Sequence, residues 1–356
     1  AGYTNTTSSN LVALGYRALY TNSSGHSNVA VGADSLRFNA GGVNNVAVGY
    51  NSLQNNTSGG ALTAIGAGAL GANTTASYNT AVGTLCMDAN TTGTNNTAVG
   101  YNTMGLTTTG SSNTAVGLNS MRDNTTGYQN TAMGHDAMLD CTTGFKNVSF
   151  GFQALQKTLT GSHNSALGAG AMYQTTTASD NTAVGRNALY NINADQNTAV
   201  GVAAGQASSN GSNNTSLGYN AQPSNSNNSN EVTLGNSSVT ALRCQQTSIS
   251  SLSDERDKTD IIDLPLGLDF LNKVRPVKFK WDIRDVEEGN PYQGKVRAGF
   301  IAQELQETQK ESNAEFMDLV FDLAPEKLEA KQGNLLPVMV KAIQELSAEV
   351  EALKAA

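Results

Sequence analysis

The sequence predicts a mainly β repeat shaft, a parallel β-roll or β-helix solenoid, followed by a smaller charged domain that ends in a long helix. Three observations predict it. A glycine recurs every seventeen residues, at Gly15, Gly32, Gly49, Gly66, Gly83, Gly100, Gly117, Gly134, Gly151, Gly168 and Gly185, and after one step of sixteen at Gly201, Gly218 and Gly235. The word around the glycine repeats too, as in Asn113-Thr114-Ala115-Val116-Gly117 and Asn181-Thr182-Ala183-Val184-Gly185. Charge is concentrated at one end: residues 1–252 carry 7 Lys/Arg and 8 Asp/Glu, residues 253–356 carry 14 and 21. Fourteen copies of one unit define a repeat architecture, and the charge shift marks a boundary near residue 250. The expected organisation is a shaft over 1–241, a linker over 242–252, and a second domain over 253–356 with its terminal helix over 334–356.

Each unit contains one clear strand. The residue three before the glycine (Thr or Val) and the residue one before it (Val, Leu or Ile) share a face, while Asn, Ala and Gly share the other. Period two over about five residues marks a short strand. The glycine then permits a turn or a close backbone approach. A following pair such as Ala18-Leu19, Ser35-Leu36, Ala154-Leu155 or Ala188-Leu189 offers a second short edge, giving an expected coil of two strands and two turns. Such a coil cannot bury its apolar side alone, so coils stack and pair in parallel. Stacking places like on like: valine over valine as a thin core, and asparagine over asparagine as an amide ladder. At about 4.8 Å per coil the shaft would be roughly 65 Å long. The Ala/Gly face is expected to admit a second chain, which predicts oligomerisation.

These Asn-x-Ala-[Val/Ile]-Gly words, running through roughly residues 10–240, resemble the head repeats of trimeric autotransporter adhesins of the YadA type. The resemblance implies left-handed parallel β-rolls packed as homotrimers.

Composition excludes several function classes. The chain is lean in apolar (38%) and aromatic (6%) residues for an enzyme of 356 residues, and its net charge of -8 offers no basic face to nucleic acid. Cys86, Cys141 and Cys244 are widely spaced and lack metal-ligand spacing, which reads as small buried or loop residues. His26, His135 and His163 read as loop residues. No apolar run approaches the roughly 20 residues of a membrane helix. No metal and no cofactor are expected.

The second domain opens on Ser253-Asp254-Glu255-Arg256-Asp257-Lys258, which on spacing alone reads as a solvated charge run. Three further words follow: Val274-Arg275-Pro276-Val277-Lys278-Phe279-Lys280-Trp281, Ala298-Gly299-Phe300-Ile301-Ala302-Gln303-Glu304-Leu305, and Leu336-Pro337-Val338-Met339-Val340-Lys341-Ala342-Ile343-Gln344-Glu345-Leu346. Together they resemble the intramolecular chaperone (peptidase S74) domain of phage tail spikes and fibres, typified by endosialidases. The resemblance covers residues 250–356 and implies an α+β chaperone domain that cleaves itself once with a Ser-Lys dyad. The matching residues are Ser253 and Lys258, with the scissile bond between Leu252 and Ser253. A serine hydroxyl needs a base, and a lysine serves only where its surroundings favour the neutral amine. Asp254, Glu255 and Asp257 oppose this if they face Lys258. A chaperone suits such a shaft, because identical coils can pair out of register before the correct assembly forms, and cleavage afterwards would trap the product kinetically.

The terminal segment carries Leu336, Met339, Ile343, Leu346, Val350 and Leu353 at steps of three and four, a heptad seam for a coiled coil, or else the face by which the helix packs on its own domain. Pro337 fits a first helical turn. The pairing of repeat shaft and chaperone predicts a trimeric fibre for host or surface attachment, located on a virion tail or, if bacterial, outside the cell. The partner expected is a cell-surface receptor, with a glycan as one candidate, and with no nucleic acid and no membrane insertion. Tyr50, Tyr101 and Tyr219, each directly after a repeat glycine, are candidate binding residues because aromatics stack on sugars, although packing against the neighbouring coil is the favoured reading of them. A bacterial adhesive fibre and a structural spacer with an uncleaved trimerisation cap are the alternatives. A glycan hydrolase fits poorly, since it needs paired carboxylates and the shaft's acids are scattered.

Overall fold

The computed structural model describes residues 7–245, 253–284, 293–322 and 328–356. The chain forms two compact units, Ala1–Asn236 and Ser237–Ala356. The first is a β-solenoid. Its fourteen strands run from β1 (Val12–Leu14) to β14 (Val232–Leu234), one per coil and three residues each, in a single parallel sheet whose spatial order is the sequence order. Register follows the glycine spacing: Thr97 pairs with Thr114 across seventeen residues, and Thr182 pairs with Thr198 across the one step of sixteen.

Which strand face points inward differs from the expectation. The central Ala is buried, as in Ala30, Ala47, Ala98, Ala115 and Ala183, and packs with the Leu or Met four residues after each glycine, such as Leu19, Leu53, Met104, Met121 and Leu155. The Thr/Val and Val/Leu/Ile positions on either side face outward. A seventeen-residue coil is too narrow to hold two large side chains across its width, so alanine on the strand meets leucine or methionine opposite. The Ala/Asn face, expected to receive another chain, is therefore the interior.

The second expected strand is also absent among the described residues, because two positions in the following segment lie in the left-handed region in coil after coil. Asn102 and Met104 have φ of 51° and 52°, Gln153 and Leu155 of 56° and 52°. A chain that turns left-handed at every second residue cannot stay extended. Backbone bonds still join the coils there, as in Asn102 N–H to Thr84 O (3.0 Å) and Met104 N–H to Ser120 O (3.0 Å).

The asparagine that stands four before the glycine in eleven of the fourteen coils forms the expected ladder, buried beside the core. Asn113 Oδ1 accepts from Asn130 N (3.0 Å), Asn130 Oδ1 from Asn147 N (2.9 Å), and Asn147 Oδ1 from Asn164 N (2.9 Å). Most of these amides also donate to the carbonyl fourteen residues on, as Asn113 does to Gly127 O and Asn147 to Gly161 O, both at 2.8 Å. A second buried ladder runs through Asn22, Asn39, Asn56, Asn73 and Asn90, joined Nδ2 to Oδ1. The two ladders back each other up unevenly. Gly127 O also accepts from Asn124 (3.2 Å), whereas Thr158, in the corresponding place beside Gly161, leaves its hydroxyl unpaired. Asn147→Ala strands both Gly161 O and Asn164 N, so it is expected to cost about 2–5 kcal/mol at about 1–3 kcal/mol per orphaned buried group. Asn113→Ala leaves Gly127 O satisfied and costs roughly half as much. Denaturant unfolding of the two variants checks the order.

The second unit is small and α+β. Helix α1 (Leu268–Leu271) precedes an antiparallel pair, β15 (Val277–Lys280) with β16 (Val296–Gly299), then α2 (Ala302–Glu311), the short pair β17 (Val320–Phe321) with β18 (Glu329–Ala330), and α3 (Leu336–Ala355). Phe270, Leu305, Ala314, Leu319, Leu335 and Val338 form its core. α1 has no side-chain cap of its own, and Glu345 of α3 supplies one by accepting from Leu268 N at 2.7 Å. Pro337 occupies the first turn of α3. Val338 and Ala342 bury one face of α3, while the seam Leu336, Met339, Ile343, Leu346, Val350 and Leu353 is exposed on another. The helix thus packs on its own unit with residues outside the heptad seam. Among the described residues no helix is long and apolar enough to cross a membrane.

Candidate active site

The residues from Ser253 to Lys258 form a local turn that explains why a five-residue spacing brings the two ends together. A single 3-10 turn, Glu255–Asp257, is closed by Asp257 N–H to Asp254 O (3.2 Å) and Lys258 N–H to Glu255 O (3.1 Å). Asp254 caps it, accepting from Arg256 N at 2.9 Å. The Asp254 carboxylate is held as well by the Arg256 guanidinium, Nε at 3.0 Å and Nη2 at 2.6 Å. That paired contact, with the backbone bond second, keeps Asp254 below the usual carboxylate range.

Across this turn Lys258 Nζ lies 2.6 Å from Ser253 Oγ and 3.3 Å from Ser253 O. A separation of 2.6 Å is within the reach required of a base and the hydroxyl it deprotonates. Of the acids that could have claimed Lys258, Asp254 is turned to Arg256 instead. Ser253 and Lys258 are both exposed in the single chain, so burial of the amine is not provided by this turn. Leu252 lies outside the described residues, and with it the carbonyl of the bond before Ser253.

Elsewhere in the second unit, Arg275 pairs with Glu304 through Nε to Oε2 (3.0 Å) and a second contact between Nη2 and Oε1. This pair joins the segment leading into β15 to the start of α2, the elements formed by two of the words that carried the sequence resemblance.

The three tyrosines stand exposed at the same position of their coils but are not brought together, since Tyr50 and Tyr101 are three coils apart and Tyr219 is seven further on. Elsewhere on this ridge aromatics pack on one another: His135 and Phe152 have ring centroids 5.4 Å apart. Other stacks run along the loops, Tyr128 on Phe145 at 5.0 Å and Tyr173 on Tyr190 at 5.1 Å. Sequence reasoning missed these because the partners lie one coil apart, Tyr128 and Phe145 in a row that is otherwise mostly Ser, Thr and Gly, and Tyr173 and Tyr190 in one of mixed polar and charged residues. The three histidines are exposed. Cys86 and Cys141 are buried with their thiols pushed up to about 12 by desolvation, and Cys244 is exposed. Among the described residues no group of three or more His, Cys, Asp or Glu could hold a metal ion.

No curated protein and no solved structure matches the chain. Residues 253–313, which begin at Ser253 and run through α2, match the Peptidase_S74 family model, described as the chaperone of endosialidase. The chain therefore joins a β-solenoid shaft to a C-terminal chaperone domain of the S74 type.

Proposed function

We propose that the protein is a trimeric attachment fibre, of a virion tail or a cell surface, whose chaperone domain drives assembly and then releases itself by cleavage between Leu252 and Ser253. The observation that carries this reading is the 2.6 Å approach of Lys258 Nζ to Ser253 Oγ at the start of the matched segment. In its neutral form Lys258 takes the hydroxyl proton as Oγ attacks the Leu252 carbonyl. The protonated amine then returns a proton to the departing Ser253 nitrogen. The resulting ester is hydrolysed by water, giving a carboxylate on Leu252 and a free Ser253 amine. Trimerisation draws support from two exposed apolar surfaces. One is the outward row of the sheet, which includes Ile65, Val99, Met133, Leu167 and Leu217, with a shallow depression of about 380 Å3 between Val148, Leu167 and Val184. The other is the α3 seam. Each is an extended apolar surface of the kind that marks an interaction site.

Sedimentation tests the assembly. The uncut Ser253→Ala chain is expected to run at three times its mass of 37.0 kDa, and adding Val99→Lys with Val116→Lys, which charges the outward row without touching the Ala/Leu interior, is expected to shift it toward the monomer. A monomeric parent removes the fibre reading.

A further inference from the structure

One place on the shaft departs from its regular surface. In the fourth coil the outward positions read Ala67, Gly68, Gly71 and Ala72, so that coil presents almost no side chains. The third and fifth coils on either side carry full ones, Tyr50, Asn51 and Gln54 on one wall and Leu85 and Asp88 on the other. The result is an open notch of about 540 Å3, inside the ~300–1,000 Å3 range of small-molecule sites. It lies on the turn side of the coil, and no strand residue of the outward apolar row lines it.

The walls hold polar groups that the shaft itself does not satisfy. Further along the Asn51 row, amides pair from coil to coil: Asn102 donates to Asn119 (3.3 Å) and Asn119 to Asp136 (3.2 Å). Asn51 is interrupted on both sides, since Asp34 cannot donate to it and Gly68 has nothing to accept with, and its Oδ1 is buried without a partner. Asp88 is half-buried against the glycine floor. A Cβ at position 71 would stand 2.6 Å from its Oδ1, so the missing side chain is what makes room for the carboxylate. Burial raises its carboxyl above the ordinary range, and no charge or hydrogen bond opposes that.

We propose that this notch binds one pyranose unit of a neutral glycan, its ring face on Tyr50 and its hydroxyls hydrogen-bonded by the Asp88 carboxylate and the Asn51 and Gln54 amides. The chemistry selects this class. Vicinal hydroxyls donate to the Asp88 carboxylate and accept from the amide N–H groups of Asn51 and Gln54, and the C–H face of a sugar suits an exposed aromatic ring beside a leucine. Asp88 is the one charged lining residue, so an acidic sugar meets repulsion and finds no cation. The inference rests on the attachment reading for its biological use, though not for its geometry.

The test is saturation-transfer NMR on the full chain with methyl glycosides of glucose, galactose, mannose and N-acetylglucosamine, and with N-acetylneuraminic acid as the acidic probe. At least one neutral glycoside is expected to bind with Kd of about 1–10 mM, and the acidic probe is not. Ala67→Tyr fills the notch with a residue that the same row already carries at Tyr16, Tyr50 and Tyr101. It should keep the thermal unfolding of the parent and weaken binding at least about tenfold. Asp88→Asn keeps the shape and should weaken binding several-fold. Binding untouched by Ala67→Tyr, a preference for the acidic probe, or no neutral glycoside bound overturns the proposal. Labelled protein on a panel of bacterial strains separates it from attachment. Cells bound equally by parent and Ala67→Tyr leave attachment standing without the notch, and glycosides bound with no cell bound leave the notch without attachment.

Discussion

Ser253→Ala and Lys258→Ala are each expected to leave the chain uncut, whereas the parent yields a fragment of residues 253–356 with serine at its new N-terminus. Intact mass after purification reads this directly. Under the proposed dyad the effect should be all or none, because Ser253 is the one hydroxyl of the 253–258 segment and Lys258 the one amine held against it. Lys258→Arg separates chemistry from folding. Arginine keeps the charge and the length but stays protonated at any working pH, so it can hold Ser253 without ever accepting its proton. Such a variant should assemble like the parent and remain intact. The turn itself resists mild acid, because Arg256 holds Asp254 below the ordinary carboxylate range. The capping contact is present at neutral pH and is lost only as pH falls through that depressed value. Cleavage that persists in Lys258→Arg would remove the dyad assignment and leave the chaperone as a trimerisation cap.

The length of the repeat carried more information than its chemistry. The seventeen-residue step, and the single step of sixteen before Gly201, predict the strand register pair by pair, because stacking forces residue onto equivalent residue. Alternation likewise predicts that Thr97 and Val99 share a face opposite Ala98. It does not say which face is inside, and ranking by hydrophobicity chose Val99, whereas the narrow coil takes Ala98. The other apolar position, Met104, was legible from its recurrence as a core side chain, but with Val99 and not Ala98 as the strand residue it meets. Its left-handed backbone, uncommon for a bulky residue, has no sequence signature beyond recurrence. In the second unit the Ser253 and Lys258 spacing is visible in the sequence. The 3-10 turn that closes it, and the diversion of Asp254 to Arg256, depend on backbone geometry that a run of charges does not disclose. The notch beside Tyr50 was written in the sequence as the run Gly66-Ala67-Gly68-Ala69-Leu70-Gly71-Ala72. It becomes a cavity only once the coils above and below are known to be in register.

Gly151→Ala is expected to break the shaft at its ninth coil, with a loss of about 3–5 kcal/mol. Two causes act at the same atom. Gly151 has φ of +135°, a region that is essentially closed to residues with a side chain. A Cβ there would also stand 2.7 Å from both the carbonyl carbon and oxygen of Gly168. The obstacle is backbone of the next coil, so no rotamer change relieves it; either the coil spacing opens or the turn unwinds. Gly41→Ala is the control, since its φ is unexceptional and a Cβ there would meet only Ser24 Oγ, at 3.6 Å. That change should fall within about 0.5 kcal/mol of the parent. Stability in a solenoid is a sum of coil and nearest-neighbour interface terms, so the damage should stay local. Circular dichroism is expected to show an early partial transition in Gly151→Ala, with limited proteolysis cutting near coils nine and ten while coils one to seven remain protected. A single cooperative transition unchanged from the parent would show that the spacing between coils is elastic, and the recurring glycine would then serve the turn conformation alone.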